Sequence, residues 1–282
     1  MNPILVTGAQ GQLGRELLAQ LGDRAFGTTR TELDLANIDS IGPTLRQLQP
    51  AMVINCAAYT AVDQAETDRD AAFHINQHAV EAMADACNQL EVPLVQVSSD
   101  YVFDTYRGNQ PRTETDAVKP LGIYAQSKLQ GEIAAAQADR HLIVRTCGLY
   151  GGGARFRNFV ETMLRLSNTR SELKVVNDQC CTPSYCRDVA SGIVRLIDGN
   201  AEGLVHLTNS GSTTWHEFAE TIFAIAGRNV SVLPITTEEF GAAAPRPSYS
   251  VLDCQRFQNL TATPLPSWKD ALARYLAERS AT

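Results

Sequence analysis

Apolar residues in the first two-thirds of the chain come in short unbroken runs, separated by longer stretches with helical spacing. Runs at residues 3–7 (PILVT), 25–29 (AFGTT), 51–55 (AMVIN), 93–99 (PLVQVSS) and 141–146 (HLIVRT) read as strands. Continuous rather than alternating apolar character is what a parallel sheet covered on both faces requires. Helical patterns near 12–21, 40–48, 64–90 and 125–138 lie between these runs. Repeated β-α-β order with short connections predicts an α/β fold built on a doubly wound parallel sheet.

Beyond residue 147 the rhythm loosens. The glycine-rich segment GLYGGGARFRN precedes a helix at 158–168, a short strand at 173–176, and a helix near 187–198 capped near Asp188. GLVHLT (203–208) reads as one more strand of the sheet. The remainder mixes helical patterns at 215–226, entered through a Thr213 or Thr214 cap, and 267–279 with proline-rich connectors such as AAAPRPSYS. The expected division is a Rossmann-type domain from 1–146 plus the returning segment 185–208. Residues 147–184 and 209–282 form a smaller C-terminal substrate-binding lobe.

Bulk properties narrow the function classes. The 282 residues are 44% hydrophobic and 20% charged, as in an ordinary globular protein. A net charge of -7 argues against a nucleic-acid surface, and an anionic small substrate would need a local cluster of arginines. No apolar run approaches the roughly 18 residues that span a bilayer. The N-terminus runs into its first strand without a basic leader, so no membrane partner and a cytoplasmic location are expected.

Seven cysteines, an odd number spread over the chain, do not read as a secreted disulfide framework. Cys180, Cys181 and Cys186 crowd into VVNDQCCTPSYCRDVA, but a structural zinc site wants four ligands and the nearest histidine is His206. No metal is expected, and a reducing compartment opposes a vicinal disulfide or regulatory thiol. Cys56, Cys87, Cys147 and Cys254 suit small buried positions. His74 and His78 share helical spacing but lack a third ligand, so they read as surface or packing residues.

Chemistry enters with the first turn. ILVTGAQGQLGREL puts Gly8, Gly11 and Gly14 directly after a strand and at the start of a helix. Glycines there permit a tight turn and close approach to a pyrophosphate, and the helix N-terminus offers free N–H groups. The spacing is G-x-x-G-x-x-G, one residue longer than the commonest dinucleotide fingerprint. NAD-specific sites end the second strand with an acidic residue. Here Thr29 and Arg30 follow, with no carboxylate at that place, so a 2′-phosphate and hence NADPH is favoured while NADH stays open.

YAQSKLQGE carries Tyr124 and Lys128 four residues apart, on one helix face. A tyrosine is a poor acid at neutral pH, and a neighbouring ammonium is expected to lower its pKa so that it can pass a proton to a carbonyl oxygen. VQVSSDYVF adds Ser98 and Ser99 at the carboxyl end of a central strand, where such sheets bind ligands. Ser99 is the better catalytic candidate, while Ser98 reads as a buried hydroxyl bonded to backbone.

With these motifs in order, the chain resembles the extended short-chain dehydrogenase/reductases and, within them, the dTDP-4-dehydrorhamnose reductase family. VTGAQGQLG, VINCAAYTAVDQAE, VSSDYVF, PLGIYAQSKLQGE, VVNDQCCTPS, GSTTWHEFA and RPSYSVLD carry the resemblance over nearly the full length. It implies NADPH-dependent reduction of the 4-keto group of a nucleotide-linked 6-deoxy sugar, as in dTDP-rhamnose biosynthesis. It also implies that Gln10, Gly11, Gln12 and Leu13 touch the pyrophosphate, and Arg30, Asp34 and Leu35 the adenosine end. Ala58, Tyr59 and Thr60 line the cofactor's path. Ser99, Tyr124 and Lys128 form the catalytic set, Lys128 also bonding the nicotinamide ribose. Asp100 and Tyr101 face the sugar, and Asn76 either supports the lysine, as in such enzymes, or is a structural helix residue.

Arg246, in PRPSYS, is the candidate for the substrate's diphosphate, since guanidinium binds phosphate bidentately; the alternative is bonding to backbone carbonyls. Two positions depart from the family pattern. Gly148 stands where an aromatic, commonly tryptophan, is usual, which would widen the sugar pocket or leave a substrate face unpacked. Cys181 stands in place of a glycine, so the local backbone is expected to differ. Other readings left open are a reductase of a different keto-sugar and a non-catalytic NADP-binding partner subunit. A homodimer is also left open.

Overall fold

A computed structural model describes residues 2–103 and 109–280. The strands are β1 (Ile4–Thr7), β2 (Ala25–Thr28), β3 (Met52–Asn55), β4 (Leu94–Ser99), β5 (His141–Thr146) and β6 (Leu149–Tyr150). They continue with β7 (Glu172–Val176), β8 (Cys180–Cys181), β9 (Ser184–Tyr185), β10 (Gly203–His206), β11 (Thr213–Thr214) and β12 (Ser231–Ile235). Six of them form one parallel sheet in the order β10-β5-β4-β3-β1-β2. The chain leaves β1 toward β2 on one side and returns to β3 on the other, so a crevice opens between β1 and β3 at their carboxyl ends. Ligands bind at such a switch point.

Why the strands are apolar throughout is visible in the packing. Val6, Ile54, Val95, Val144 and Val205 face one side, against the helices Gln12–Leu21 and Cys186–Asp198. Their neighbours Leu5, Val53, Leu94 and Ile143 face the other, against Ile38–Leu48 and Ala79–Leu90. With both faces buried, a polar strand residue costs free energy unless it is paired, and the buried Thr28 and Thr146 hydroxyls at the strand ends have no such partner among the described residues.

A third core holds the later segments together. Tyr150, Tyr185, Phe218, Trp268 and Tyr275 pack with the helices Phe159–Leu166, Trp215–Ile225 and Trp268–Ser280. Three two-stranded sheets, β6-β9, β7-β12 and β8-β11, surround it. The strand β12 carries no sequence signal because Pro234 interrupts it. Pairing only with β7, it tolerates a residue without N–H. The helix Gln255–Thr261 was likewise not expected.

Two local expectations are corrected. The helical pattern at 64–90 breaks into Val62–Ala65, Arg69–Phe73, a π-helical turn His74–His78, and Ala79–Leu90. Asp188 does not cap the helix Cys186–Asp198; Tyr185 stands at the cap position without a side-chain bond. The Asp188 carboxylate instead accepts from Asn209 at 2.8 Å and from Arg274 at 2.6 and 2.9 Å, tying that helix to Trp268–Ser280. Thr214, by contrast, does cap Trp215–Ile225, accepting from the Glu217 N–H at 3.1 Å. Among the described residues no helix is long and apolar enough to cross a membrane.

Candidate active site

Gly8 follows β1 with φ +65°, a backbone conformation that side chains resist, and a Cβ there would lie 2.8 Å from the Ala57 backbone nitrogen. Gly14 is as constrained, since a Cβ on it would lie 2.4 Å from the Gly8 carbonyl oxygen. The turn therefore lies flat against the loop after β3. Gly11 is the N-cap of Gln12–Leu21 and makes no side-chain bond there, so the first helical N–H groups are left for a ligand. These features fit a pyrophosphate.

Two clefts meet at this turn, both lined by Gly8, Ala57 and Ala58. One, of about 590 Å3, is bounded by Thr29, Arg30, Asp34, Leu35, Tyr59 and His74. It has the place and lining expected for an adenosine. Arg30 is largely exposed, with Asp34 3.3 Å away. The carboxylate of Glu32 folds back to accept from the Thr29 N–H at 2.8 Å and hydroxyl at 2.9 Å. An acidic side chain does therefore reach the end of β2, in addition to the arginine read from the sequence.

The other cleft, of about 800 Å3, gathers Gln12, Leu13, Thr60, Ser99, Tyr101, Tyr124, Lys128 and Gly148. Gln10 lines neither cleft; it is exposed, and its carbonyl accepts from Arg15. Tyr124 and Lys128 sit in the first turns of Ile123–Ala135, whose buried face lies along β4. Tyr124 lies beside Ser99, whose hydroxyl donates to Asp100 at 3.0 Å, and meets the Tyr101 ring edge-on at 5.8 Å. Lys128 donates to the Val97 carbonyl at 2.7 Å.

The expected lowering of the tyrosine's pKa is not found. Burial, and then the Asp100 carboxylate, push the Tyr124 phenol up to about 12. The Lys128 ammonium is turned to Val97, and burial brings its own pKa down to about 8.

Other candidates fall out differently from their sequence reading. Asp100 is buried behind Ser99 and accepts from the Ser99 hydroxyl at 3.0 Å and the Cys147 thiol at 3.1 Å, so its carboxylate does not line the cleft. Asn76, on the π-helical turn, exchanges bonds with the Tyr59 backbone at 2.9 and 3.1 Å and donates to Ser127 at 2.9 Å. It holds the Tyr59 loop to the helix Ile123–Ala135, and its side chain makes no bond to Lys128. Ser98 bonds not to backbone but to the Glu132 carboxylate, at 2.6 Å.

Arg246 is held by both oxygens of Asp63, at 2.9 and 3.1 Å, and by the Ala244 carbonyl at 2.9 Å. Tyr101, which lines the cleft, lies close enough to Arg246 to help hold its charge.

The two departures also resolve. Gly148 adopts φ +53°, and a Cβ there would lie 3.2 Å from Pro183 and 3.3 Å from the Trp215 ring. Gly148 lines the cleft, and Trp215 comes up beside it from the helix Trp215–Ile225, its ring tilted 42° to that of Phe159 with 4.7 Å between centroids. Cys181 lies in β8 paired with Thr213, close to the buried Cys147 thiol. All seven cysteines are free, and among the described residues no group of three or more His, Cys, Asp or Glu could hold a metal ion.

Sequence reasoning missed the contribution of the glycine-rich segment. Phe156, Arg157 and Phe159 line the cleft that holds Tyr124 and Lys128. Asn158 caps its helix and donates to Gln12 at 2.7 Å, joining the lobe to the phosphate turn. The signal was the Asn at a helix start after glycines, which announces a cap but not its long-range partner.

The geometry matches known proteins. The model of the RmlD substrate binding domain family matches residues 1–281. The spore coat polysaccharide biosynthesis protein SpsK of Bacillus subtilis is 39% identical, the match covering 99% of each chain. A dTDP-4-dehydrorhamnose reductase of Clostridium acetobutylicum superposes with a TM-score of 0.94 at 40% identity, again over 99% of each chain. The dTDP-4-dehydrorhamnose reductase of Bacillus anthracis in complex with NADP gives 0.94 at 38% identity, over 98% of this chain and 99% of that one. A match of this extent, with the glycine turn and the Ser99–Tyr124–Lys128 cleft on one frame, means that the chain belongs to the dTDP-4-dehydrorhamnose reductase family of extended short-chain dehydrogenase/reductases.

Proposed function

We propose that the protein reduces the 4-keto group of a nucleotide-diphospho-6-deoxy sugar with NADPH, in the manner the names of its relatives describe. The observation that carries this reading is the convergence of Ser99, Tyr124 and Lys128 in a cleft continuous with the Gly8 turn. When bound, NADPH supplies the hydride. Gly8, the N–H groups from Gln12 onward and Leu13 hold its pyrophosphate, and Arg30 the 2′-phosphate. Lys128 bonds the nicotinamide ribose. Ser99 orients the substrate carbonyl and Tyr124 gives its proton to that oxygen. A phenol near 12 stays protonated across the physiological range and is still a stronger acid than the alcohol that forms, so transfer to the developing alkoxide is favourable.

Residues 147–184 and 209–282 form the lobe that takes the sugar nucleotide, against 1–146 with 185–208 for the cofactor. Tyr101 faces the sugar, and Asp100 acts on it through Ser99. Arg246 would exchange Asp63 for the substrate's diphosphate. Seven free thiols suit a reducing compartment, and the protein is assigned to the cytoplasm.

The test is NADPH oxidation with a panel of nucleotide-linked 4-keto-6-deoxyhexoses, dTDP-linked first. Turnover confined to a dTDP-4-keto sugar supports the reading, and NADPH binding with no turnover on any keto-sugar removes it in favour of a non-catalytic subunit. Arg30→Ala is expected to weaken NADPH binding by about tenfold, the scale of one lost charged hydrogen bond, with a smaller change for NADH. Equal losses for the two cofactors, measured by fluorescence titration, would take Arg30 away from the 2′-phosphate.

A further inference from the structure

The helix Ile123–Ala135 carries a third residue on the face that bears Tyr124 and Lys128. Tyr124, Lys128 and Glu132 stand one turn apart and meet three consecutive residues of β4. Tyr124 lies beside Ser99, Lys128 meets the Val97 carbonyl at 2.7 Å, and Glu132 the Ser98 hydroxyl at 2.6 Å. Glu132 is also clamped by Arg145, the partner of Ser98 in the β4–β5 register, through bonds of 2.8 and 2.7 Å. The two side chains are 7% and 4% exposed.

Behind them, burial and Arg145 hold His206 down to about 3, so it is neutral. Its Nδ1–H donates to the Arg112 carbonyl at 3.0 Å, which leaves Nε2 to accept from Arg145 at 3.4 Å. A buried ion pair is rarely a better stabiliser than apolar residues of the same volume. Its location directly behind the catalytic lysine calls for another reason.

We propose that Glu132 is a positioning residue for the reduction: it locks the catalytic helix to the end of β4 in the register that sets Tyr124 beside Ser99, and it places a carboxylate one turn along the same face from Lys128. This rests on the reductase reading above. Burial is what lowers the Lys128 pKa to about 8, and Glu132 is the largest influence holding it up. The other groups facing Lys128 do not supply that charge. The Cys56 thiol beside β3 and the Tyr124 phenol are both pushed up to about 12 and stay neutral. Asp100 is turned to Ser99 and Cys147, while Arg145 and the neutral His206 lie beyond Glu132.

Glu132→Gln tests this through two pH profiles, NADPH affinity by fluorescence, which needs no sugar, and kcat on the keto-sugar. Without the carboxylate the ammonium is lost at lower pH, so both alkaline limbs move down by about one unit or more. Profiles that superimpose on the wild type would overturn the proposal. Ser98→Ala keeps the charge and cuts the bond, so kcat is expected to fall about tenfold at an unmoved profile; a wild-type kcat would overturn the positioning role. If Glu132→Gln does not fold, Glu132→Asp keeps the charge with a shorter reach and is expected to show a lower kcat with wild-type limbs. A displaced limb in that variant would overturn the proposal. A shifted NADPH profile with no turnover on any keto-sugar supports the role of Glu132 and removes the substrate reading alone.

Discussion

Tyr124→Phe is expected to lower turnover on a 4-keto sugar by about a hundred- to ten-thousand-fold, the usual worth of a positioned general acid, while NADPH still binds. The substitution removes one oxygen and leaves the ring in its edge-on contact with Tyr101. Cofactor contacts of the Gly8 turn and of Lys128 are untouched, so the loss should fall on kcat rather than on NADPH affinity. Single-turnover NADPH oxidation beside a fluorescence titration separates the two. Activity within a few-fold of the wild type would remove Tyr124 as the proton donor.

The second large effect is expected at Gly131. A Cβ there would lie 2.1 Å from the Asn76 carbonyl oxygen, a backbone atom on the π-helical turn that cannot swing aside. Gly131→Ala must push apart the catalytic helix and the segment carrying Asn76. Overpacking of this kind costs about 1–3 kcal/mol or more, and a lower Tm by several degrees is the expected reading in a thermal melt. The same displacement pulls Asn76 from Tyr59 and Ser127, so kcat should fall in the protein that remains folded. A variant with wild-type Tm and kcat would mean that the two segments tolerate separation.

How much was legible in advance depended on the range of the interaction. The parallel sheet and its order of elements could be read because apolar runs and helical spacing are local. The Tyr124–Lys128 pair could be read because four residues on a helix span one turn wherever the helix goes. Arg246 could not be read so fully. Its type suggested a phosphate, yet the carboxylate that holds it is Asp63, 183 positions earlier in the chain. Asp188 looked like a cap because it stands near a helix start, but its partners Asn209 and Arg274 come from later segments. Gly148 suggested a widened pocket or an unpacked face; that it lines the cleft with Trp215 beside it depends on the helix Trp215–Ile225, from much later in the chain.

The doubly wound sheet, the glycine turn and the alignment of Tyr124 with Lys128 are written in local residue patterns, since each follows from backbone geometry and spacing over a few turns. The charge state and aim of those same groups come from packing between distant segments. Burial raised the phenol, the Val97 carbonyl drew the ammonium away from it, and Glu132 with Arg145 closed the network behind them. Desolvation and pairing depend on which distant segments fold together, and no local pattern of residues encodes that distance.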